Sequence, residues 1–104
     1  MTLPGVIQFL PEYRDYVWGG NRLRSAEVPT AEAWLIWESN RVISGPLAGA
    51  TLAEVFARYQ FDLVGRLGMA QERGRFPLLI KLLDCAQWLS LQVHPNDAQA
   101  LALD

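Results

Sequence analysis

Three polar side chains alternate along one segment near the end of the 104-residue chain: Ser90, Gln92 and His94. Side chains two residues apart on a strand project to the same side, roughly 6.5–7 Å apart, so these three form a polar row. The amide oxygen of Gln92 and the imidazole of His94 could bind one cation, since imidazole and oxygen donors combine in mixed zinc sites. The spacing equally fits a surface glutamine beside a surface histidine, and two ligands do not make a zinc site.

Lys81 is the second candidate for chemistry, because it interrupts the apolar run of residues 78–83. A lysine in such a run either extends its ammonium group to solvent at a sheet edge or directs it at an anion. If the amine were buried, it could also take part in proton transfer. Ser90 could donate a hydrogen bond to a phosphate, or only satisfy a neighbouring group.

Two strands are expected to position these residues. Residues 88–94 alternate polar and apolar side chains, whereas residues 78–84 form a nearly continuous apolar run. The short link at residues 84–87 favours a β-hairpin, which would place Lys81 across from Ser90. Because the strand at residues 78–84 is apolar on both sides, the polar row on the neighbouring strand could line a cavity such as a barrel lumen instead of facing water.

The first part of the chain predicts loops followed by a covered strand. Prolines and glycines interrupt residues 1–30, and the pair Gly19-Gly20 predicts a turn that needs positive φ. Residues 33–43 predict a strand with two mostly apolar faces, and therefore one covered on both sides. Four tryptophans are expected in the core: Trp18, Trp34, Trp37 and Trp88.

A helix is predicted to follow this strand. Thr51 and Glu54 form a capping-box pattern, and apolar residues then recur at helical spacing. The helix is expected to end near residues 59–60, with a second turn at residues 63–67 and a polar loop at residues 68–75.

Composition excludes several classes of protein. Hydrophobic residues make up 51% of the chain and the net charge is −2, which argues against disorder, nucleic-acid binding and an anionic membrane partner. One histidine and one cysteine exclude a disulfide framework and a self-contained pair of histidine ligands. No targeting segment or membrane span is evident, so a cytoplasmic protein is expected. Cys85 is interpreted as a structural or incidental thiol, and the loop arginines are expected to be solvated: Arg22, Arg24, Arg73 and Arg75.

The segment FPLLIKLLDCAQWLSLQVHPND, at residues 76–97, closely resembles the signature of type I mannose-6-phosphate isomerases, which are zinc-dependent enzymes of the cupin superfamily. Three further segments resemble the family in the same order: YVWGGNRL at residues 16–23, AEAW at residues 31–34 and GPLAGATLAE at residues 45–54. The resemblance covers nearly the whole chain. The LSLQVHPND core is its most specific part.

The resemblance implies a mainly β fold with short helices. We expect a partial cupin, a double-stranded β-helix or jelly roll, with a helix inserted around residues 51–60. Residues 1–104 would form the N-terminal part of the domain, with the barrel incomplete. By position, Gln92 and His94 match the first two Zn²⁺ ligands, and Ser90 and Lys81 match substrate-pocket residues, with Lys81 a candidate for catalysis. The family's remaining glutamate and histidine ligands are absent from the chain.

The activity implied is the interconversion of mannose 6-phosphate and fructose 6-phosphate, with this chain an inactive N-terminal fragment. The sugar phosphate is the expected partner, without nucleic acid or membrane. Self-association through exposed strand edges is also expected. The alternatives are a non-catalytic sugar-phosphate-binding cupin module and a non-functional remnant.

Overall fold

The structure is a computed structural model that describes residues 3–71 and 75–89, together with residues 96 and 98. The described residues include one antiparallel sheet of three short strands in the order β1-β2-β3. The strands are β1 (Glu12–Arg14), β2 (Glu32–Ile36) and β3 (Ile80–Leu83), and the helix α1 (Leu52–Gln71) lies between β2 and β3 in sequence. No helix in these residues combines the length and the apolar character that a membrane crossing needs.

Strand β2 is shorter than the sequence predicted. The expected strand at residues 33–43 ends at Ile36, and the chain then turns, with Asn40 N–H donating to the carbonyl of Trp37 at 3.0 Å. Ser39 and Asn40 are residues that favour turns over strands, which explains the early end. Beyond the turn, Arg41 and Val42 pair only through isolated bridges.

The first half of α1 follows the sequence. Thr51 Oγ1 accepts from the backbone N–H of Glu54 at 3.2 Å, and the Glu54 carboxylate accepts from Thr51, so the predicted capping box is confirmed. Helical geometry is broken at Gln60, with φ 35°, and at Gly65, with φ 73°. The predicted loop at residues 68–75 is wrong for residues 68–71, which are helical, because the methionine, alanine and glutamine there favour the helix.

The core forms where α1 packs on the segment that follows β2. A buried cluster there contains Val42, Leu47, Val55 and Tyr59. Partly buried apolar residues from both ends of this region pack against it: Leu3, Ile7, Phe9, Ala50 and Leu63. This core lies in the first two thirds of the chain and leaves β3 outside it.

Strand β3 is exposed along its length. The predicted strand at residues 78–84 shortens to Ile80–Leu83, and Leu82 is 51% exposed. Trp88 is 98% exposed, so its predicted place in the core is wrong, whereas Trp18, Trp34 and Trp37 are half-buried. Residues 88 and 89 are not in a strand, and the rest of the predicted strand at residues 88–94 lies outside the described residues.

The pair Gly19-Gly20 is required for close packing, not for positive φ. Neither residue has positive φ, so that prediction was wrong. A Cβ at Gly19 would lie 2.6 Å from the backbone nitrogen of Ala31, and one at Gly20 would collide with the Asp84 carboxylate. The two glycines therefore let the first loop lie directly against the ends of β2 and β3.

Candidate functional site

One face of the sheet gathers charged side chains around a tryptophan. Across the antiparallel pairs, Arg14 lies opposite Glu32, and Trp34 lies between Glu12 on β1 and Lys81 on β3. Directly opposed residues of an antiparallel pair project from the same face, and so do residues two apart on one strand. These five residues therefore share a side of the sheet, which we call the charged sheet face.

Glu32 lies at the centre of the charged sheet face and is only 7% exposed. Its Oε1 accepts two hydrogen bonds, from Trp34 Nε1 at 2.8 Å and from Lys81 Nζ at 2.9 Å. Burial alone would raise the pKa of Glu32, but these two hydrogen bonds and the charges of Lys81 and Arg14 outweigh it and hold the pKa below its ordinary value. Glu32 is thus a buried carboxylate kept ionised by its partners.

Two cations flank the Trp34 ring. The guanidinium carbon of Arg14 lies 4.1 Å from the ring centroid, and Lys81 Nζ lies 5.7 Å from it. Arg14 also pairs with Glu12, with Nη2 and Oε1 3.6 Å apart. Because both contacts are within cation–π range, the indole ring adds to the forces that hold the two basic side chains over β2.

Lys81 is neither free in solvent nor turned into the core. Its side chain is 36% exposed, and its ammonium group is anchored by Glu32. An ammonium group has three donors, and the Glu32 bond uses one of them. Lys81 can therefore hold a fixed position while it presents other N–H groups to a ligand.

The predicted metal and serine positions lie outside the described residues. These are Ser90, Gln92 and His94, so the polar row and its place across from Lys81 stay predictions. Within residues 3–71 and 75–89, no group of three histidine, cysteine, aspartate or glutamate side chains could hold a metal ion. The candidate site that the structure describes is therefore the charged sheet face alone.

Sequence reasoning missed Glu32 and Trp34 as site residues. A signal for them was present, because a glutamate in a mostly apolar strand needs a cationic partner. Lys81 is the chain's single lysine and interrupts another apolar strand, so the two charges could have been paired. The sequence alone did not indicate that β3 pairs with β2.

Of the other candidate residues, Cys85 is exposed, and Arg24 and Arg75 are paired with acidic side chains. The thiol of Cys85 is free and exposed. Arg24 is not simply solvated, because it donates to Asp15 Oδ1 at 2.7 Å and lies over the Tyr13 ring. Arg75 donates from Nε to Glu38 Oε2 at 3.1 Å, so it too is paired. Arg73 lies outside the described residues.

Comparison with solved structures places this sheet and helix in a known architecture. The crystal structure of the mannose 6-phosphate isomerase from Bacillus subtilis matches with a TM-score of 0.78 and 32% sequence identity, covering 92% of this chain and 32% of that one. The predicted fold class, a mainly β chain with the architecture of part of such an isomerase, is confirmed by this match.

The sequence defines the family. A family model described as the catalytic domain of type I phosphomannose isomerase matches residues 6–104, and the chain belongs to this family. It is 38% identical over 110 aligned residues to the probable mannose-6-phosphate isomerase GmuF of Bacillus subtilis, covering 96% of this chain and 33% of that protein. It is 39% identical over 95 residues to the mannose-6-phosphate isomerase of Streptococcus mutans, covering 82% of this chain and 28% of that one. The chain thus spans about a third of the length of these relatives.

Proposed function

We propose that this chain serves the interconversion of mannose 6-phosphate and fructose 6-phosphate. The observation that carries the proposal is the family match over residues 6–104. The names of the similar proteins support the same activity and a sugar phosphate as substrate. In the structure, the proposal is supported by Lys81, a half-exposed cation held on the charged sheet face.

The reaction is an internal proton transfer. A proton leaves C2 of the open-chain aldose, the C1 carbonyl oxygen gains a proton, and an enediol forms. The 2-hydroxyl then loses its proton as C1 gains one, which gives the ketose with no other reactant. Lys81 suits the donation of a hydrogen bond to an oxygen of the sugar phosphate, because its ammonium group is fixed and half-exposed.

Zinc dependence is part of the proposal, with Gln92 and His94 as ligands. It is supported by the resemblance of the LSLQVHPND segment and by the donor chemistry of an amide oxygen and an imidazole. The described residues do not complete such a site, since they contain no group of three acidic, histidine or cysteine side chains able to bind a metal.

We further propose that the 104-residue chain alone has no isomerase turnover and retains zinc poorly. Two ligands fall short of the three protein ligands that catalytic zinc sites use, and the chain spans about a third of its relatives. The test is an isomerase assay of the purified chain with and without added Zn²⁺, with the Streptococcus mutans relative as the positive control. Robust turnover by the chain would contradict the proposed inactivity.

A second candidate function is a sugar-phosphate-binding module without catalysis. The observation that favours it is the metal-independent anchoring of Lys81 by Glu32. Titration of mannose 6-phosphate with and without Zn²⁺ separates the two functions. Binding that needs Zn²⁺ and is lost in His94→Ala supports the isomerase site, whereas metal-free binding unaffected by His94→Ala supports the module.

A further inference from the structure

We propose that Glu32 is the positioning residue for Lys81, holding its ammonium group in place for the sugar phosphate. This inference rests on the proposed function, because only there does Lys81 meet a substrate. In this role Glu32 acts through Lys81 and does not touch the ligand.

Two hydrogen bonds to one oxygen of the Glu32 carboxylate support the proposal. Glu32 and Trp34 are two residues apart on β2, and Lys81 lies directly across from Trp34 on β3. The Glu32 carboxylate is fixed by the indole N–H of Trp34, and the same Oε1 then accepts from Lys81 at 2.9 Å. A long lysine side chain loses much of its rotamer freedom in such a contact, so less must be lost when a ligand binds.

The two side chains of the Glu32–Lys81 ion pair differ in their exposure to solvent. The Glu32 side chain is 10% exposed, whereas that of Lys81 is 36% exposed. The carboxylate is therefore largely shielded from solvent, and the open side of the pair is the ammonium group. Among the described residues, the other ionised groups on this face are Arg14 and Glu12 on β1, and they pair with each other.

Lys81 can be observed without ambiguity, because it is the only lysine in the chain. In a uniformly ¹³C-labelled chain, the Cε–Hε correlation of lysine is therefore one signal. The matched control is Glu38→Gln, because Glu38 is also paired with a cation, Arg75, in an ion pair that does not include Lys81.

The first measurement follows the Lys81 signal as the pH is lowered. We expect an inflection in the acid range, below the ordinary range of glutamate, as Glu32 takes up a proton and releases the ammonium group. The inflection should disappear in Glu32→Gln and persist in Glu38→Gln. A flat signal in the unmodified chain, or an inflection that remains in Glu32→Gln, would overturn the proposal. The first of these outcomes needs no variant, so the test stands even if Glu32→Gln fails to fold.

The second measurement adds mannose 6-phosphate at neutral pH and follows the same signal. Glu32→Gln should weaken binding about fivefold, since the ligand must then immobilise a free lysine side chain. Glu38→Gln should bind like the unmodified chain. Unchanged or tighter binding in Glu32→Gln would show that Glu32 only opposes the charge of Lys81, and would overturn the positioning role.

The two measurements also separate this inference from the proposed function. If the acid inflection is present but mannose 6-phosphate leaves the Lys81 signal unmoved, the assignment of Lys81 to the substrate fails and the Glu32–Lys81 contact stands. If the sugar phosphate moves the signal but the acid inflection is missing, the proposed function stands and Glu32 has no positioning role.

Discussion

Asn40 fastens the N-terminal segment to the sheet by donating from Nδ2 to the carbonyl of Leu10 at 2.9 Å. The same nitrogen donates to the carbonyl of Trp34 at 3.0 Å. Asn40 is fully buried, so the amide that makes both hydrogen bonds is shielded from solvent. One side chain therefore links the N-terminal segment to the strand that carries the charged sheet face.

Replacing Asn40 with alanine should destabilise the fold by about 2–3 kcal/mol, because the two hydrogen bonds of a buried amide are lost. Urea unfolding followed by tryptophan fluorescence measures the change. The control is Ser39→Ala, whose exposed hydroxyl donates a single hydrogen bond to Glu12. A loss at Asn40 no larger than that at Ser39 would show that the two buried bonds contribute little.

The capping box at the start of α1 should also contribute measurably. Thr51→Ala removes the side-chain acceptor for the Glu54 N–H and should cost about 1 kcal/mol in the free energy of unfolding. Thr51→Ser keeps the hydroxyl and should cost much less. Equal losses in the two variants would place the effect in the packing of the Thr51 methyl group and not in the cap.

Stability should fall in acid as the Glu38–Arg75 pair is lost. The hydrogen bond from Arg75, which outweighs burial, holds the pKa of Glu38 below its ordinary value. A depressed folded-state pKa gives stabilisation that is present above the unfolded-state pKa and is lost as the pH falls through the folded-state pKa. The Arg75 side chain is 60% exposed, so solvent screening should keep the contribution below about 1 kcal/mol.

Urea unfolding of Glu38→Gln between neutral and acid pH tests this expectation. The variant should be less stable than the unmodified chain at neutral pH, and the difference should vanish in acid. Glu27→Gln, in the exposed loop before β2, controls for the loss of one negative charge. A difference that is constant with pH would contradict the electrostatic explanation.

The exposed strand β3 should cause the chain to self-associate. Ile80 and Leu82 are 47% and 51% exposed, and β3 has a pairing partner on one side only in the described sheet. Exposed apolar edge strands favour pairing between molecules. Light scattering should show oligomers that the double variant Ile80→Thr/Leu82→Thr reduces, while Val17→Thr, an exposed apolar residue in a loop, does not. A stable monomer would contradict this prediction.

The parts of the fold that local patterns determine were predictable from the sequence. The capping box at Thr51 and Glu54 and the break near Gln60 follow from short-range signals, and the structure contains both. The order of the sheet was not predictable, because the short link at residues 84–87 favoured pairing of the strand at residues 78–84 with residues 88–94, and no local pattern indicated pairing with β2. Long-range pairing is set by packing of the whole chain, which no local pattern encodes.

The candidate site was predictable only in part. Lys81 was found because a charge in an apolar run is conspicuous, and the structure places it where a ligand can reach it. Glu32 was missed because its meaning depends on a partner 49 positions away in sequence. Ser90, Gln92 and His94 stay predictions from the sequence, as does the cytoplasmic location.

The bridge between Gly20 and Thr30 also bears on where this chain can accept inserted residues. Thr30 N–H donates to the carbonyl of Gly20 at 2.9 Å, so the residues between them leave and rejoin the fold at one point. The free energy of closing a loop rises slowly with its length. Insertions among the exposed residues 25–29 should therefore be absorbed locally, leaving the register of β2 unaltered and making this loop a suitable place for an epitope or a fluorescent label.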